Sequence, residues 1–252
     1  MVLTKRLSGC ITYSITHTTG IMSSMKSGRI VNVLLFSSGV SVLLFIARAI
    51  SQQSSNFWYL NWNLVLAWLP MVFSYFLVQY LITGMWLTWK GLGLTFLWLI
   101  FLPNSFYIAT DFIHLQESSS GTLLFDTALI LSFTLNGFLL GYLSVYSMHQ
   151  LLLHRMRART AHWMIAGVFL LCSFAIYLGR YLRWNTWDII SNPLGLVFDV
   201  SERFINPTSH EQTFRTTALF FVLIATFYVV IWQIFNELQA ARRDKLPVHR
   251  SK

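Results

Sequence analysis

Long apolar runs separated by short polar segments dominate this chain. Six runs are long enough for membrane-spanning helices, because crossing the hydrocarbon core takes roughly 20 apolar residues. They cover residues 30–47, 64–82, 92–107, 123–146, 163–182 and 216–235. The pattern predicts an all-α fold, a polytopic transmembrane helical bundle of six spans.

The segments outside these runs complete the predicted organisation. Residues 183–215 mix charges with the apolar stretch 194–200, which is typical of an interfacial or re-entrant piece and too short for a seventh span. We therefore expect a tail at 1–29, a single transmembrane domain at 30–236 and a basic tail at 237–252. The first run ends at Ala47-Arg48-Ala49, which resembles a signal-peptidase site. Its length exceeds that of a signal h-region, so we expect an uncleaved anchor.

Composition and charge add the orientation. Only 11% of the residues are charged, against about 25% in soluble domains, so most of the surface must face lipid. The net charge of +9 comes from basic residues that flank the apolar runs and form no continuous patch, so we expect membrane lipids and no nucleic acid as partners. If both termini and the 147–162 loop are cytoplasmic, 13 of the 18 Lys and Arg residues lie inside. We expect a multi-pass protein of the cell membrane.

Polar chemistry concentrates on the opposite, outer side, where seven of the nine acidic residues fall. Its centre follows Pro103, which should kink or break the third helix. If helix resumes after Asn104, then Tyr107, Thr110, Asp111 and His114 share one face at spacings of three and four residues. Such a polar stripe at the membrane boundary should face the bundle interior or a wet cavity.

Two further spans should reach the same region. Asp126 starts the fourth span after a short turn, so we expect it near His114. The fifth span ends with Arg180, and a polar segment follows, made of Arg183, Trp184, Asn185, Trp187 and Asp188. The sequence therefore predicts that Asp111, His114, Asp126 and Arg180 converge.

Several interpretations of this cluster remain open. It could be an electrostatic lock in which Asp111 or Asp126 pairs with Arg180 and holds the helices together. It could be a site for an anionic lipid or envelope substrate, because arginine binds phosphate and carboxylate groups well. In that case Arg180, Arg183 and Asn185 would hold the anion, and Asn104, Tyr107, Trp184 and Asp188 would support them. Catalytic acid–base chemistry would fall to Asp111, His114 and Asp126.

Other possibilities rest on fewer residues. A metal would have to use Asp111, His114 and Asp126, although the nearby arginines oppose a cation. A small-solute transporter would use deeper polar groups such as Asn63, Gln79 and Asn136, with Pro70 as a possible helix break. No Gly-x-Ser-x-Gly, Walker or His-Glu-x-x-His sequence occurs, and no cofactor is indicated. Whether the protein is an enzyme stays open.

A weaker signal concerns helix packing. Gly137 and Gly141 form a small-xxx-small step on the fourth span. This spacing allows the backbones of two helices to approach closely in lipid. We expect both glycines to face another helix, within the protomer or in a partner copy.

The chain also resembles an uncharacterised bacterial membrane-protein family, domain of unknown function 1361, over roughly residues 40–235. The resemblance lies in several short motifs: Leu102-Pro103-Asn104, Tyr107, Thr110-Asp111, His114-Leu115, Gly179-Arg180, Arg183-Trp184-Asn185, Trp187-Asp188, Trp62-Asn63-Leu64, Trp68, Pro70 and Asn136-Gly137. One departure is Ser105-Phe106, where such sequences more often read Ala-Pro. The resemblance implies a bacterial membrane protein and supplies no activity, substrate or cofactor.

Overall fold

The computed structural model describes residues 28–244, and within that range the chain forms α and 3₁₀ helices without a strand. Most of the predicted N-terminal tail and the last eight residues of the C-terminal tail lie outside the described residues. The helices are α1 Arg29–Gln52, α2 Trp58–Thr83, α3 Trp89–Tyr107, a 3₁₀ helix at Ile108–Glu117, α4 Leu123–Arg155, α5 Ala158–Tyr181, α6 Asp188–Ser191, α7 Pro193–Ile205, a 3₁₀ helix at Pro207–His210, and α8 Glu211–Asp244.

Six of the described helices are long and apolar enough to cross a membrane, which confirms the predicted six-span bundle. Successive spans run in opposite directions. The ends of α1, α3 and α5 therefore lie on the same side as the starts of α2, α4 and α8, and we call this the pocket side. α2 packs mainly against α3 and α4, α5 packs against α8, and α1 packs mainly against α4.

Small residues set the close contact between α3 and α4. A Cβ atom added to Gly137 would lie 2.5 Å from the backbone oxygen of Ser105, and one added to Gly141 would lie 2.8 Å from Cζ of Phe106. Both glycines therefore face α3 within the same chain. Ser144, one turn further, accepts a hydrogen bond from the Trp98 indole at 2.7 Å and donates one to the Pro70 carbonyl at 3.0 Å.

The six long helices extend beyond the apolar runs that predicted them. α4 continues to Arg155 and α5 begins at Ala158, so the expected loop at 147–162 is reduced to a two-residue connection. The reason is that residues such as His149 and Leu152 are buried against neighbouring helices and keep the segment helical. α8 also continues to Asp244, past the predicted end of the sixth run.

The break expected at Pro103 occurs four residues later. α3 passes through Pro103, and only after Tyr107 does the chain change to 3₁₀ geometry. The tighter helix carries the chain to Glu117, close to the start of α4.

The segment between α5 and α8 forms α6, α7 and a short 3₁₀ helix. α7 is amphipathic: Leu194, Phe198 and Ile205 are exposed on it, while Arg203 is buried beside Asp199. An exposed apolar face next to membrane-spanning helices is typical of a segment at the membrane interface.

Candidate ligand pocket

A cavity of about 330 Å³ lies on the pocket side, between the helix ends. Two helices line it with one face each, at spacings of three and four residues that bring side chains together along a helix. The residues are Tyr59, Trp62, Asn63 and Leu66 on α2, and Ile100, Pro103, Asn104 and Tyr107 on α3. This volume is at the lower end of the range for small-molecule sites.

Asp111 and His114 of the 3₁₀ helix Ile108–Glu117 also line the cavity, and the rest of the wall comes from the second half of the chain. The end of α5 contributes Arg180, and the segment after it contributes Trp184, Asn185 and Trp187. Leu196 closes the cavity from α7. A Cβ atom on Gly179 would lie 3.1 Å from the Tyr107 ring, so the glycine lets α5 approach the end of α3 closely.

The charged residues at the centre of the pocket come from α2, the 3₁₀ helix Ile108–Glu117 and α5. Asp111 is only 2% exposed, and its carboxylate accepts a hydrogen bond from Asn63 Nδ2 at 3.0 Å. Arg180 Nη1 lies 3.5 Å from the other oxygen of Asp111, and Arg180 Nη2 lies 3.4 Å from His114 Nε2. The ring of Tyr59 packs against His114 with 5.2 Å between the centroids.

These contacts fix the proton position on a neutral His114. A guanidinium group only donates hydrogen bonds, so Nε2 of His114 must accept from Arg180. The proton then belongs on Nδ1, which lies 3.2 Å from a carboxylate oxygen of Glu117. Arg180 thus links an acid and an imidazole at the pocket wall.

The 3₁₀ geometry explains which predicted residues face the pocket. In a 3₁₀ helix, residues three apart lie directly above one another. Asp111 and His114 are therefore aligned and both line the cavity. Thr110, which an α-helix would place beside them, instead donates a hydrogen bond to the Tyr107 carbonyl at 2.8 Å and does not line the pocket.

The sequence model of a family described as "Protein of unknown function (DUF1361)" matches residues 62–231. The chain belongs to the DUF1361 family. The match contains every pocket-lining residue except Tyr59 and leaves α1 outside. Comparisons with curated proteins and with solved structures found no match.

Asp126 does not join the pocket of this DUF1361 protein, and the expectation that it lies with His114 and Arg180 is wrong. Its carboxylate is fully buried and pairs with Arg48 of α1, with Nε to Oδ1 at 2.9 Å and Nη2 to Oδ2 at 3.4 Å. Ser118 donates a further hydrogen bond at 2.7 Å. The end of α1 lies beside the start of α4, so Arg48 takes the position expected for Arg180.

This pairing also bears on the metal hypothesis. Asp111, His114 and Asp126 are not brought together, since the oxygens of Asp126 face Arg48 and Ser118. Over residues 28–244, no group of three or more His, Cys, Asp or Glu side chains is arranged to hold a metal ion.

The other predicted site residues of the DUF1361 chain divide into lining and supporting positions. Asn185 lines the pocket, whereas Arg183 is exposed, has a left-handed backbone with φ of 59° and does not line it. Asp188 also lies off the cavity and accepts the backbone N–H of Asn185 at 2.7 Å. That hydrogen bond holds the pKa of Asp188 below its usual range.

Two supporting residues connect the pocket wall to the α6–α7 segment. Asn104 Nδ2 donates to the Thr186 hydroxyl at 3.0 Å, and the Trp184 indole donates to Asp199 on α7 at 2.8 Å. These two hydrogen bonds position the segment over the cavity.

The sequence analysis assigned no pocket role to the polar and aromatic lining residues of α2, and it missed one ion-pair partner. Tyr59, Trp62 and Asn63 are spaced like one helix face, and this periodicity on α2 could have revealed them. Arg48 lies at the end of the first apolar run, and Asp126 lies at the start of the fourth. Both residues are therefore expected at the same depth in the membrane, and this could have indicated their pairing.

Proposed function

We propose that this protein binds an anionic amphiphile, either a membrane lipid or a lipid-linked envelope molecule, in the pocket. The observation that carries the proposal is the two-part lining of the cavity. A polar end formed by Asn63, Asp111, His114 and Arg180 adjoins an apolar wall that includes Leu66 and Ile100. Concave, mostly apolar cavities with a few convergent polar groups are the usual form of ligand sites.

Arg180 is the group that contacts the anion. A guanidinium group carries five N–H donors, and bidentate contact with phosphate or carboxylate is its strongest interaction. Among the described residues, Arg180 makes only the long contacts to Asp111 and His114, and its side chain remains 18% exposed. Its unused donors support a role in binding rather than in packing alone.

The orientation proposed for the protein places the pocket on the outer side of the cell membrane. The bias of Lys and Arg toward the opposite side supports it, because cytoplasmic segments carry the excess of basic residues. The apolar face of α7 and the exposed Trp187 next to the pocket suit a position where lipid head groups are within reach.

Native mass spectrometry of the purified full chain tests the proposal. We expect phosphatidylglycerol to be retained over phosphatidylcholine, and Arg180→Gln to weaken that retention about tenfold or more, since a hydrogen bond to a charged group contributes about 1.5–3 kcal/mol. Arg183→Gln is the matched control, because it removes the same charge three residues away without touching the cavity. Equal lipid retention by Arg180→Gln and the native chain would contradict the proposal.

A second candidate is a non-catalytic structural or assembly protein whose ion pairs lock the bundle. Two pairs that join different helices favour it: Arg48 with Asp126, and Arg180 with Asp111. The double variant Asp111→Asn, Arg180→Gln separates the two functions. If the ion pairs only lock the bundle, the double variant should melt at a higher temperature than either single variant. The native chain should then show no lipid preference. The binding proposal predicts that lipid retention stays low even where stability recovers.

Transport has less support from the structure. Asn136, one of the deep polar residues considered for it, donates hydrogen bonds to Ser41 at 2.9 Å and to its own helix at Ser132. This is a packing contact between α1 and α4.

A further inference from the structure

Five aromatic rings line the pocket, and they come from three parts of the chain. Tyr59 and Trp62 belong to α2, Tyr107 to the end of α3, and Trp184 and Trp187 to the segment after α5. An aromatic ring has a negative face that attracts weakly positive C–H groups. A sugar ring presents such C–H groups on its flat faces, so flat aromatic walls match its shape and polarity.

Several polar side chains of the pocket have oxygen atoms that can accept a hydrogen bond and have no donor in the described part of the chain. Asn63 and Asn104 donate their amide N–H groups to Asp111 and Thr186, and within the described residues their Oδ1 atoms accept no hydrogen bond. The hydroxyl of Tyr59 is buried and has no partner among the described residues. A phosphate diester offers only acceptors, which could satisfy the Tyr59 hydroxyl but not the amide oxygens of Asn63 and Asn104. Those two oxygens call for donors elsewhere on the ligand.

Hydroxyl groups suit these acceptors better than an ammonium group. Asp111 already accepts from Asn63 and faces the Arg180 guanidinium, so little uncompensated negative charge remains for a cation. A hydroxyl both donates and accepts, which matches neutral amides and a tyrosine hydroxyl at no electrostatic cost.

We infer that the head group of the amphiphile is a sugar ring linked to the anionic group. The ring stacks between the aromatic walls, its hydroxyls bond the amide oxygens of Asn63 and Asn104, and Arg180 holds the anion. This inference rests on the proposed function and specifies its substrate class as an anionic glycolipid.

The test compares two lipids of equal charge and identical acyl chains, phosphatidylglucoside and phosphatidylmethanol, by competition in native mass spectrometry of the full chain. We expect about a tenfold preference for the glucosyl lipid, from one stacked ring and one or two hydrogen bonds. Trp62→Leu should abolish the preference for the glucosyl lipid and leave the binding of phosphatidylmethanol unchanged. Trp58→Leu is the matched control, one turn earlier on α2, 62% exposed and outside the cavity.

The outcomes separate this inference from the proposed function. Equal binding of both lipids, still dependent on Arg180, would overturn the sugar assignment and leave the anion site standing. Preference for phosphatidylethanolamine over the glucosyl lipid would overturn it in favour of an ammonium group. Loss of all dependence on Arg180 would overturn the proposed function. Should Trp62→Leu fail to fold, Trp187→Leu carries the same expectation, because Trp187 lines the cavity from a segment outside the spans.

Discussion

At the scale of single residues, two ion pairs on the pocket side differ in how completely they are satisfied. Arg48 and Asp126 form a two-point contact, supported by Ser118 and by the Phe57 ring, which lies 4.8 Å from the guanidinium carbon. Arg180 touches Asp111 through one long contact and faces a cavity. The first pair therefore has little donor capacity left for a ligand, whereas the second leaves donors available.

We predict that Asp126→Asn strongly destabilises the protein. The change leaves the buried Arg48 without a counter-charge, and removing one partner of a buried pair costs about 3–5 kcal/mol. Thermal unfolding in detergent measures the loss. Glu211→Gln is the control, since its pair with Arg215 is exposed and should contribute at most about 1 kcal/mol. Similar shifts for both variants would contradict the role assigned to Arg48 and Asp126.

Part of the residue-scale arrangement was predictable. The proximity of Asp111, His114 and Arg180 was predictable, because they lie at helix ends expected at the same depth in the membrane. Thr110 was misplaced because nothing in the sequence signalled the change from α to 3₁₀ geometry after Tyr107. Asp126 was misassigned because depth alone cannot tell which of two arginines, Arg48 or Arg180, lies beside it.

At the scale of helices, the contact between α3 and α4 depends on the absence of two side chains. We predict that Gly137→Ala lowers the melting temperature, because its Cβ would meet the Ser105 backbone oxygen at 2.5 Å and a backbone atom cannot easily move aside. Gly167→Ala on α5 is the control, with no atom within 4 Å of its Cβ. There the change should be neutral or stabilising, since alanine favours helix over glycine by about 0.8–1.0 kcal/mol. Equal effects would show that α3 can shift.

The position of α7 provides another prediction at this scale. A spin label at Phe198 should be accessible to oxygen dissolved in lipid, and one at Glu202 should be accessible to a water-soluble nickel complex. Phe198 lies within the exposed apolar face, whereas Glu202 lies at the edge of that face, with its carboxylate side chain 43% exposed. Water accessibility at both positions would remove α7 from the membrane interface.

Helix lengths were less predictable than helix identities. Hydropathy located all six spans, but α4 and α8 extend beyond their apolar runs. In α4 the cause is packing, as at His149, which keeps the polar segment helical. The interfacial segment was predictable from composition, while its division into α6 and α7 depends on the cap at Asn192, whose side chain accepts the Gly195 N–H.

At the scale of the whole molecule, the distribution of Lys and Arg predicts which side of the membrane the pocket side faces. We predict that a membrane-impermeant maleimide labels Ser119→Cys and Ser209→Cys in intact cells and labels Arg157→Cys only after lysis. The first two positions lie on the pocket side and the third lies between α4 and α5. Native Cys172 is buried and should add little background labelling. The labelling variants also carry Cys10→Ser. Labelling of Arg157→Cys in intact cells would invert the proposed topology.

The pairing of α1 with α4 has a consequence for how the chain enters the membrane. Arg48 is synthesised 78 residues before Asp126. At about 5–20 residues per second, its counter-charge arrives about 4–16 s later. During this interval Arg48 lacks its carboxylate partner. The carbonyl of Ser54, which accepts from Arg48, and the Phe57 ring follow within nine residues, so they can shelter the charge before the fourth helix emerges.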